Sequence, residues 1–338
     1  MNILGIESSC DETSVAVIKD GELKANLISS QHFHKDFGGV VPELSSRAHL
    51  QIIMPLLKQA LSQAEISKED IDVISATAGP GLIGAVLVGL TFAKGLSFSL
   101  NKPFIPVNHI EGHIYSGFLM NEKPSFPYLC LVVSGGHTLL LIVESETRIK
   151  KLGSTIDDAA GEAFDKTAKM LGLGYPGGIR IQEEAEKGNF DVIEFPISQC
   201  KNEFDFSFSG LKTAVLRHIQ KEFGSGENIP HENIPDIAAS FQKAAVEALA
   251  QKAERALKNY KVNSISVVGG VAANKYLRNR FSEISKKYKK NLVIPDIQFC
   301  GDNAAMIALR GSRLFASGYK FDLSYNAYAS MPESAFIP

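Results

Sequence analysis

The sequence predicts an α/β protein of two related halves with mixed sheets, on three observations. Ile3 to Ile6 is an apolar β-type run that turns through Glu7-Ser8-Ser9-Cys10-Asp11-Glu12-Thr13 and returns as Ser14 to Ile18. Tyr128 to Val133 repeats the pattern, turning through Ser134-Gly135-Gly136-His137 and returning as Thr138 to Val143. Ser264 to Val268 meets Gly269-Gly270 and passes into a helical stretch from Lys275. The first two are hairpin signatures and the third is strand, glycine turn, helix. Two like hairpins far apart in the chain point to an internal duplication, and strands interspersed with helices to mixed sheets.

The other elements follow in order. Met1 to Glu7 has neither a basic leader nor a long apolar stretch, so it reads as a strand entering a core and not as a signal peptide. Gly81 to Ala93 approaches membrane hydrophobicity, but its 13 residues end at Lys94. That is short of the ~20 a spanning helix needs, so it reads as a buried, glycine-rich helix. Asp157 to Leu171 puts Ala160, Phe164, Thr167 and Leu171 near one helix face and ends in a loop rich in glycine, Gly172 to Gly178. Ile234 to Asn259 reads as one alanine-rich helix with Pro235 in its first turn. The boundary is expected near Asn108: residues 1–108 with about 303–338 form the first domain, and 109–302 the second, with helical insertions.

Composition narrows the function classes. With 338 residues, 45% of them hydrophobic, the chain can support two cores. A net charge of -2 supplies no global attraction to nucleic acid, so any RNA contact needs a local patch or a partner. The one dense basic run, Lys286 to Lys290, is either a solvated helix end or a phosphate-binding patch. Cys10, Cys130, Cys200 and Cys300 are scattered without a close pair, against a zinc ribbon or a disulfide framework and in keeping with a cytoplasmic protein.

His109 and His113 are four residues apart, which on a helix puts both rings on one face, roughly 40° apart. Such a pair either holds one metal ion or simply faces solvent. Glu111 is tempting as the base of a zinc peptidase, but it is set roughly 200° around the helix from His109 and points away. Asp302, before a helix, is either its N-cap or a third ligand; Cys300, two positions earlier, is expected to face elsewhere. Ser134 to His137 and Gly269-Gly270 expose backbone N–H groups that suit phosphate oxygens, although each is also a plain tight turn. Together with the Ser8 to Thr13 tip and Gly177-Gly178 they point to a nucleotide cleft. Ala78-Gly79-Pro80-Gly81 lacks the lysine of a P-loop.

Ten ordered motifs, spread over nearly the whole chain, resemble the TsaD (Gcp) family of tRNA adenosine threonylcarbamoyltransferases. They are Glu7 to Thr13, Gly38 to Glu43, Ala78 to Leu82, His109-x-Glu111-Gly112-His113, Val133 to Thr138, Asp157 to Lys169, Tyr175 to Gly178, Asp205 to Thr213, Gly269 to Asn274 and Asp302-Asn303. The resemblance implies an actin-like ATPase/sugar kinase/Hsp70-like (ASKHA) fold, two RNase H-like domains around a nucleotide cleft. It implies transfer of a threonylcarbamoyl group from threonylcarbamoyl-adenylate to N6 of adenosine 37 in tRNAs reading codons that begin with A. It also makes His109, His113 and Asp302 ligands of one metal, usually iron and sometimes zinc. Val132, Val133, Ser134, Gly135, Gly136, Asp165, Gly178 and Asn274 would bind the substrate or its adenylate part. After Gly178 the chain reads Ile179-Arg180-Ile181-Gln182, where many relatives begin with proline and end with aspartate. A ribose contact there would fall to Gln182, whose amide can hydrogen-bond a hydroxyl. Partners implied are a paralogous actin-like subunit, TsaB, met through the first domain's helices, and a small ATPase, TsaE.

Asp11 and Glu12, on the first hairpin tip, are candidates for general base or for orienting the adenine amine; a capped acidic tip is the alternative. Rival functions are a metal-dependent endopeptidase, a small-molecule carbamoyltransferase and a scaffold without chemistry. The misplaced Glu111 weighs against the first, the compact length against the second, and the His109, His113 and Asp302 set against the third.

Overall fold

The computed structural model describes residues 1–37 and 39–330; Gly38 of the second motif and 331–338 of the expected first domain lie outside the described residues. Contacts divide the chain into Met1–Asn121 with Gly301–Pro338, and Glu122–Cys300. The division therefore falls after Asn121 and not near Asn108, because the segment that follows Asn108 packs within the first unit, as described below.

In the first unit the hairpin signature becomes β1 (Asn2–Glu7) and β2 (Glu12–Lys19), extended by β3 (Glu22–Ser30). Next come α1 (Pro42–Gln63), β4 (Val73–Gly79), α2 (Ile83–Leu100), β5 (Phe104–Asn108) and α3 (His109–Ser116). The sheet order is β3-β2-β1-β4-β5, with β1–β2 and β2–β3 antiparallel and β1–β4–β5 parallel. Alternation along β1 sends Leu4 and Ile6 to one face, against Ile53, Leu57 and Leu90 of α1 and α2, and Ile3 to the other.

The apolar stretch starting at Gly81 forms a helix longer than its charge-free run. Lys94 is itself a good helix former and lies inside α2, its ammonium reaching the Tyr325 carbonyl; the helix runs for 18 residues and meets the length and hydropathy of a membrane span. It is not buried all round. Ala85, Val86, Gly89, Leu90, Ala93 and Ser97 face the core, while Leu87 and Phe98 stay exposed.

The second unit repeats the plan. Its strands and helices are β6 (Tyr128–Val133), β7 (Thr138–Ser145), β8 (Arg148–Ser154), α4 (Ala160–Met170), α5 (Gly177–Ala185), α6 (Ser209–Phe223), α7 (Ile234–Asn259), β9 (Ser264–Val268), α8 (Lys275–Tyr288), β10 (Asn291–Val293) and α9 (Ile297–Cys300). The order β10-β9-β6-β7-β8 is that of the first sheet with the same parallel and antiparallel pairs, as expected of a duplication. Helix α4 starts at Ala160, later than the expected Asp157, because the two aspartates hold other elements. Asp157 Oδ1 accepts the N–H groups of Phe208 and Ser209 at 2.8 and 3.2 Å, capping α6, and Asp158 pairs with Lys166 and Lys212.

The chain then returns to the first unit as α10 (Ala304–Ala316), which packs on β1, β2, β4 and α3. Its first N–H groups are taken by Ser14 Oγ and Asn26 Oδ1, at 2.8 and 3.2 Å. A side chain at Gly5 would put its Cβ 2.4 Å from the Ala304 carbonyl, so glycine in β1 is what lets α10 lie this close.

Candidate metal centre

Strand β5 ends at Asn108, whose side chain accepts from Ile110 N at 2.8 Å and Glu111 N at 3.3 Å and so starts α3 at the next residue. His109 and His113 are then one turn apart, their ring centroids at 4.8 Å, and both are buried. Asp302 Oδ1 lies 3.1 Å from His113 Nε2 and 3.5 Å from His109 Nε2. The three donor atoms lie within 4.8 Å of one another. Asp302 is not the N-cap of α10: Asn303 is, its side chain accepting from Met306 N. Glu111 turns away, as its helical offset requires, and its Oε2 meets Arg310 Nε of α10 at 2.7 Å. Cys300 belongs to the other unit, where its thiol meets Arg278 and the Pro295 carbonyl.

The set fits a metal. Two imidazole nitrogens and one carboxylate oxygen suit zinc or iron, and both Nε2 atoms face the same carboxylate with His113 Nδ1 left without a hydrogen-bond partner. Charge points the same way. Burial lowers His109, but Asp302 and Glu7 outweigh it and raise the group to about 9. Burial, with Asp302 and Asp11 next, pushes Glu12 up to about 9, so its carboxyl holds a proton at neutral pH. The carboxylates of buried Glu7 and half-buried Asp302 thus face the one imidazolium of His109.

Sequence reasoning missed Glu7 and Ser9 at this centre. Glu7 Oε2 and Ser9 Oγ each lie 3.2 Å from His109 Nδ1, and Glu7 is fully buried at the end of β1. Burial pushes Glu7 up, yet His109 beside it holds it below the usual carboxylate range. The available signal was a lone acid closing the apolar run Ile3 to Ile6.

The remaining candidates lie in the second unit. Val132 and Val133 are buried in β6, and Ser134, Gly135 and Gly136 form the turn after it, with Ser134 N bonded to the His137 carbonyl. Gly269 follows the neighbouring β9 at φ +96°, where a Cβ would lie 2.4 Å from the Val133 carbonyl, so this glycine is required by the backbone itself. Asp165 Oδ1 accepts from Gly177 N at 2.7 Å, next to Gly178, which has open space where a side chain would be. Gln182 and Asn274 meet at the start of α8. Gln182 Oε1 accepts from Lys275 N at 2.8 Å, while Asn274 caps the helix through Leu277 N and donates to Gln242.

The family model described as "TsaD: tRNA N6-adenosine threonylcarbamoyltransferase" matches residues 22–309. The chain belongs to the TsaD family. Its relatives named tRNA N6-adenosine threonylcarbamoyltransferase include one from Thermosipho africanus, 50% identical over 98% of this chain and 99% of its own length. Another, from Chlorobaculum tepidum, is 48% identical over 99% of this chain and 98% of its own. This TsaD-family chain is therefore a transferase that places a threonylcarbamoyl group on N6 of adenosine in tRNA, and the peptidase, small-molecule carbamoyltransferase and scaffold readings fall. Solved structures share the fold at low identity. T. kodakarensis HypF gives a TM-score of 0.64 at 16% identity, covering 94% of this chain and 48% of its own. Acidaminococcus fermentans (R)-2-hydroxyglutaryl-CoA dehydratase component A gives 0.56 at 16%, covering 93% and 97%. The duplicated mixed sheets of this chain thus share the actin-like ASKHA-type fold of these structures.

Proposed function

We propose that the donor is threonylcarbamoyl-adenylate, that the acceptor is adenosine 37 of tRNAs reading codons that begin with A, and that AMP leaves. The observation that carries this reading is the convergence of two buried histidines, His109 and His113, and half-buried Asp302 on one point. When bound by these three residues, a divalent cation, iron first and zinc second, supplies positive charge to the oxygens of an activated acyl group.

An adenine amine is a weak nucleophile, because its lone pair is delocalised into the ring, so the carbonyl carbon it attacks must carry a good leaving group. The new C–N bond forms as the carbonyl–phosphate C–O bond breaks, with AMP taking that electron pair and the amine giving up one proton. Glu12, raised and protonated, suits orienting the amine, which leaves Asp11 to accept that proton. In the second unit, backbone amides of Gly135 and Gly136, set at the end of β6 by Val132, Val133 and Ser134, and the amide at Gly178 would hold phosphate, with Asp165 bracing the loop. Asn274 and Gln182 would meet the nucleoside, Gln182 through the amide nitrogen, since its oxygen holds Lys275 N.

We place the TsaB subunit on the exposed apolar side of α1 and α2, where Leu50, Met54 and Leu87 stay uncovered, and assign TsaE to the same assembly by resemblance. The reaction itself belongs in the cytoplasm, where tRNA is. The test is His109→Ala, assayed with threonylcarbamoyl-adenylate, unmodified tRNA and both partners, with metal content measured alongside. Loss of bound metal and of modified adenosine together is expected. Full transfer by a variant that holds no metal would overturn the role of the centre.

A further inference from the structure

We propose that Glu7 is a positioning residue of the metal centre: its carboxylate keeps the His109 proton on Nδ1 and so presents Nε2 as the metal-binding atom. The inference rests on the metal-site reading above and deepens it. Glu7 is 0% exposed at the end of β1, and each group it touches is a donor. Ser9 N reaches Oε1 at 2.5 Å, the Thr77 hydroxyl reaches Oε2, and His109 Nδ1 stands 3.2 Å from Oε2. Among the described residues its one ion-pair partner is His109. No described lysine or arginine shares it.

A carboxylate held by donors can only accept, so Nδ1 must supply the proton. In a neutral imidazole the lone pair then sits on Nε2, the atom that faces Asp302 at 3.5 Å. A carboxylate behind a ligating histidine also makes that ligand more basic and fixes the ring. The second histidine has no such support. His113 Nδ1 is buried without a hydrogen-bond partner, so the centre has one backed and one unbacked imidazole. Loss of the backing group therefore removes the carboxylate that, among the described residues, sets a ring from behind. Glu7, Thr77 and His109 come from the ends of β1 and β4 and from the residue after β5, three neighbouring parallel strands, so the sheet itself holds the arrangement.

The experiment titrates Zn²⁺ into the metal-stripped full-length chain against a chromophoric chelator, for the parent protein and for Glu7→Gln, His109→Ala and His113→Ala. Melting of each metal-free form is followed in parallel. Glu7→Gln keeps the volume and removes the charge, and is expected to weaken zinc binding about 10- to 100-fold. Parent affinity in Glu7→Gln, with or without a lower metal-free melting temperature, overturns the proposal when the histidine variants have lost zinc. Unchanged affinity in both histidine variants instead overturns the metal-site reading. Should Glu7→Gln not fold, the nitrogen spectrum of the histidine-labelled, zinc-loaded parent decides. A proton on His109 Nδ1 supports the assignment, and one on Nε2 overturns it.

Discussion

The ion pair between Glu111 and Arg310 makes a sharp quantitative prediction. Glu111 Oε2 meets Arg310 Nε at 2.7 Å with side chains 3% and 1% exposed, and the guanidinium lies 4.0 Å from the Tyr115 ring centre. The pair joins α3, which carries both histidines, to α10, which Asp302 precedes. Coulomb attraction is little screened there, but both charges have lost their water, so the pair as a whole contributes little net stability. Breaking it is a different matter. Glu111→Ala takes this carboxylate from a buried guanidinium and is expected to cost about 3–5 kcal/mol. For a unit of this size, each kcal/mol lowers the melting temperature by about 2–4 °C, so a fall of about 6–20 °C is expected. The double variant Glu111→Ala, Arg310→Met removes both charges and should recover much of that loss. Thermal melts of the two single variants and the double variant form the cycle that reads the coupling. A single-variant loss below about 1 kcal/mol, as for an exposed pair, would refute the reasoning. So would a double variant that loses the sum of both singles.

Other expectations follow from single positions. At Gly89 in α2 an added Cβ would lie 2.2 Å from Ser8 Oγ, a hydroxyl already bonded to the Ala85 carbonyl, so Gly89→Ala should destabilise by about 1–3 kcal/mol through overpacking. Gly95, in the same helix with open space at that point, should gain about 1 kcal/mol as alanine, and melting curves of opposite sign check the pair. Burial pushes Asp158 up, but hydrogen bonds from Lys166 and Lys212 outweigh it and hold the carboxyl below its usual range. A depressed folded-state value means stability that is present above the unfolded-state carboxyl range and lost as pH falls through the folded one. Unfolding midpoints measured downward from pH 5 should show this loss, and Asp158→Asn should flatten it; equal slopes in both proteins would contradict the assignment.

Much of the architecture was legible because it is written in short windows. Both hairpins, the Gly269-Gly270 turn and the Ile234–Asn259 helix appear where apolar runs around a small polar turn, glycine pairs and alanine runs put them. The errors come from residues whose partners are remote in sequence. Asp157 and Asp158 look like the first turn of α4, yet one caps α6 across 51 residues and the other binds Lys212 across 54. Lys94 looks like the end of an apolar helix, yet α2 continues to Leu100 and the lysine's amine finds its partner at Tyr325, 231 residues away. The boundary near Asn108 failed for the same reason: α3 packs on α10, almost 200 residues further along. At the site, the spacing of His109 and His113 announced a shared face, and the offset of Glu111 announced that it points elsewhere.

By itself, the sequence determined the chemistry available: two imidazoles on one turn, an aspartate before a helix, glycine turns after strands, and the motifs of a tRNA-modifying transferase. Local propensity and spacing act over a few residues, and those features need no more. Only the tertiary structure decided that Asp302 is not the N-cap of α10, since Asn303 takes that place and Asp302 faces both histidines. It alone decided that Glu7, 102 residues from His109, stands behind that ring, and that Gln182 spends its oxygen on Lys275, 93 residues away. Such contacts exist because parallel strands bring distant segments to one end of a sheet, and burial there makes each polar group find a partner.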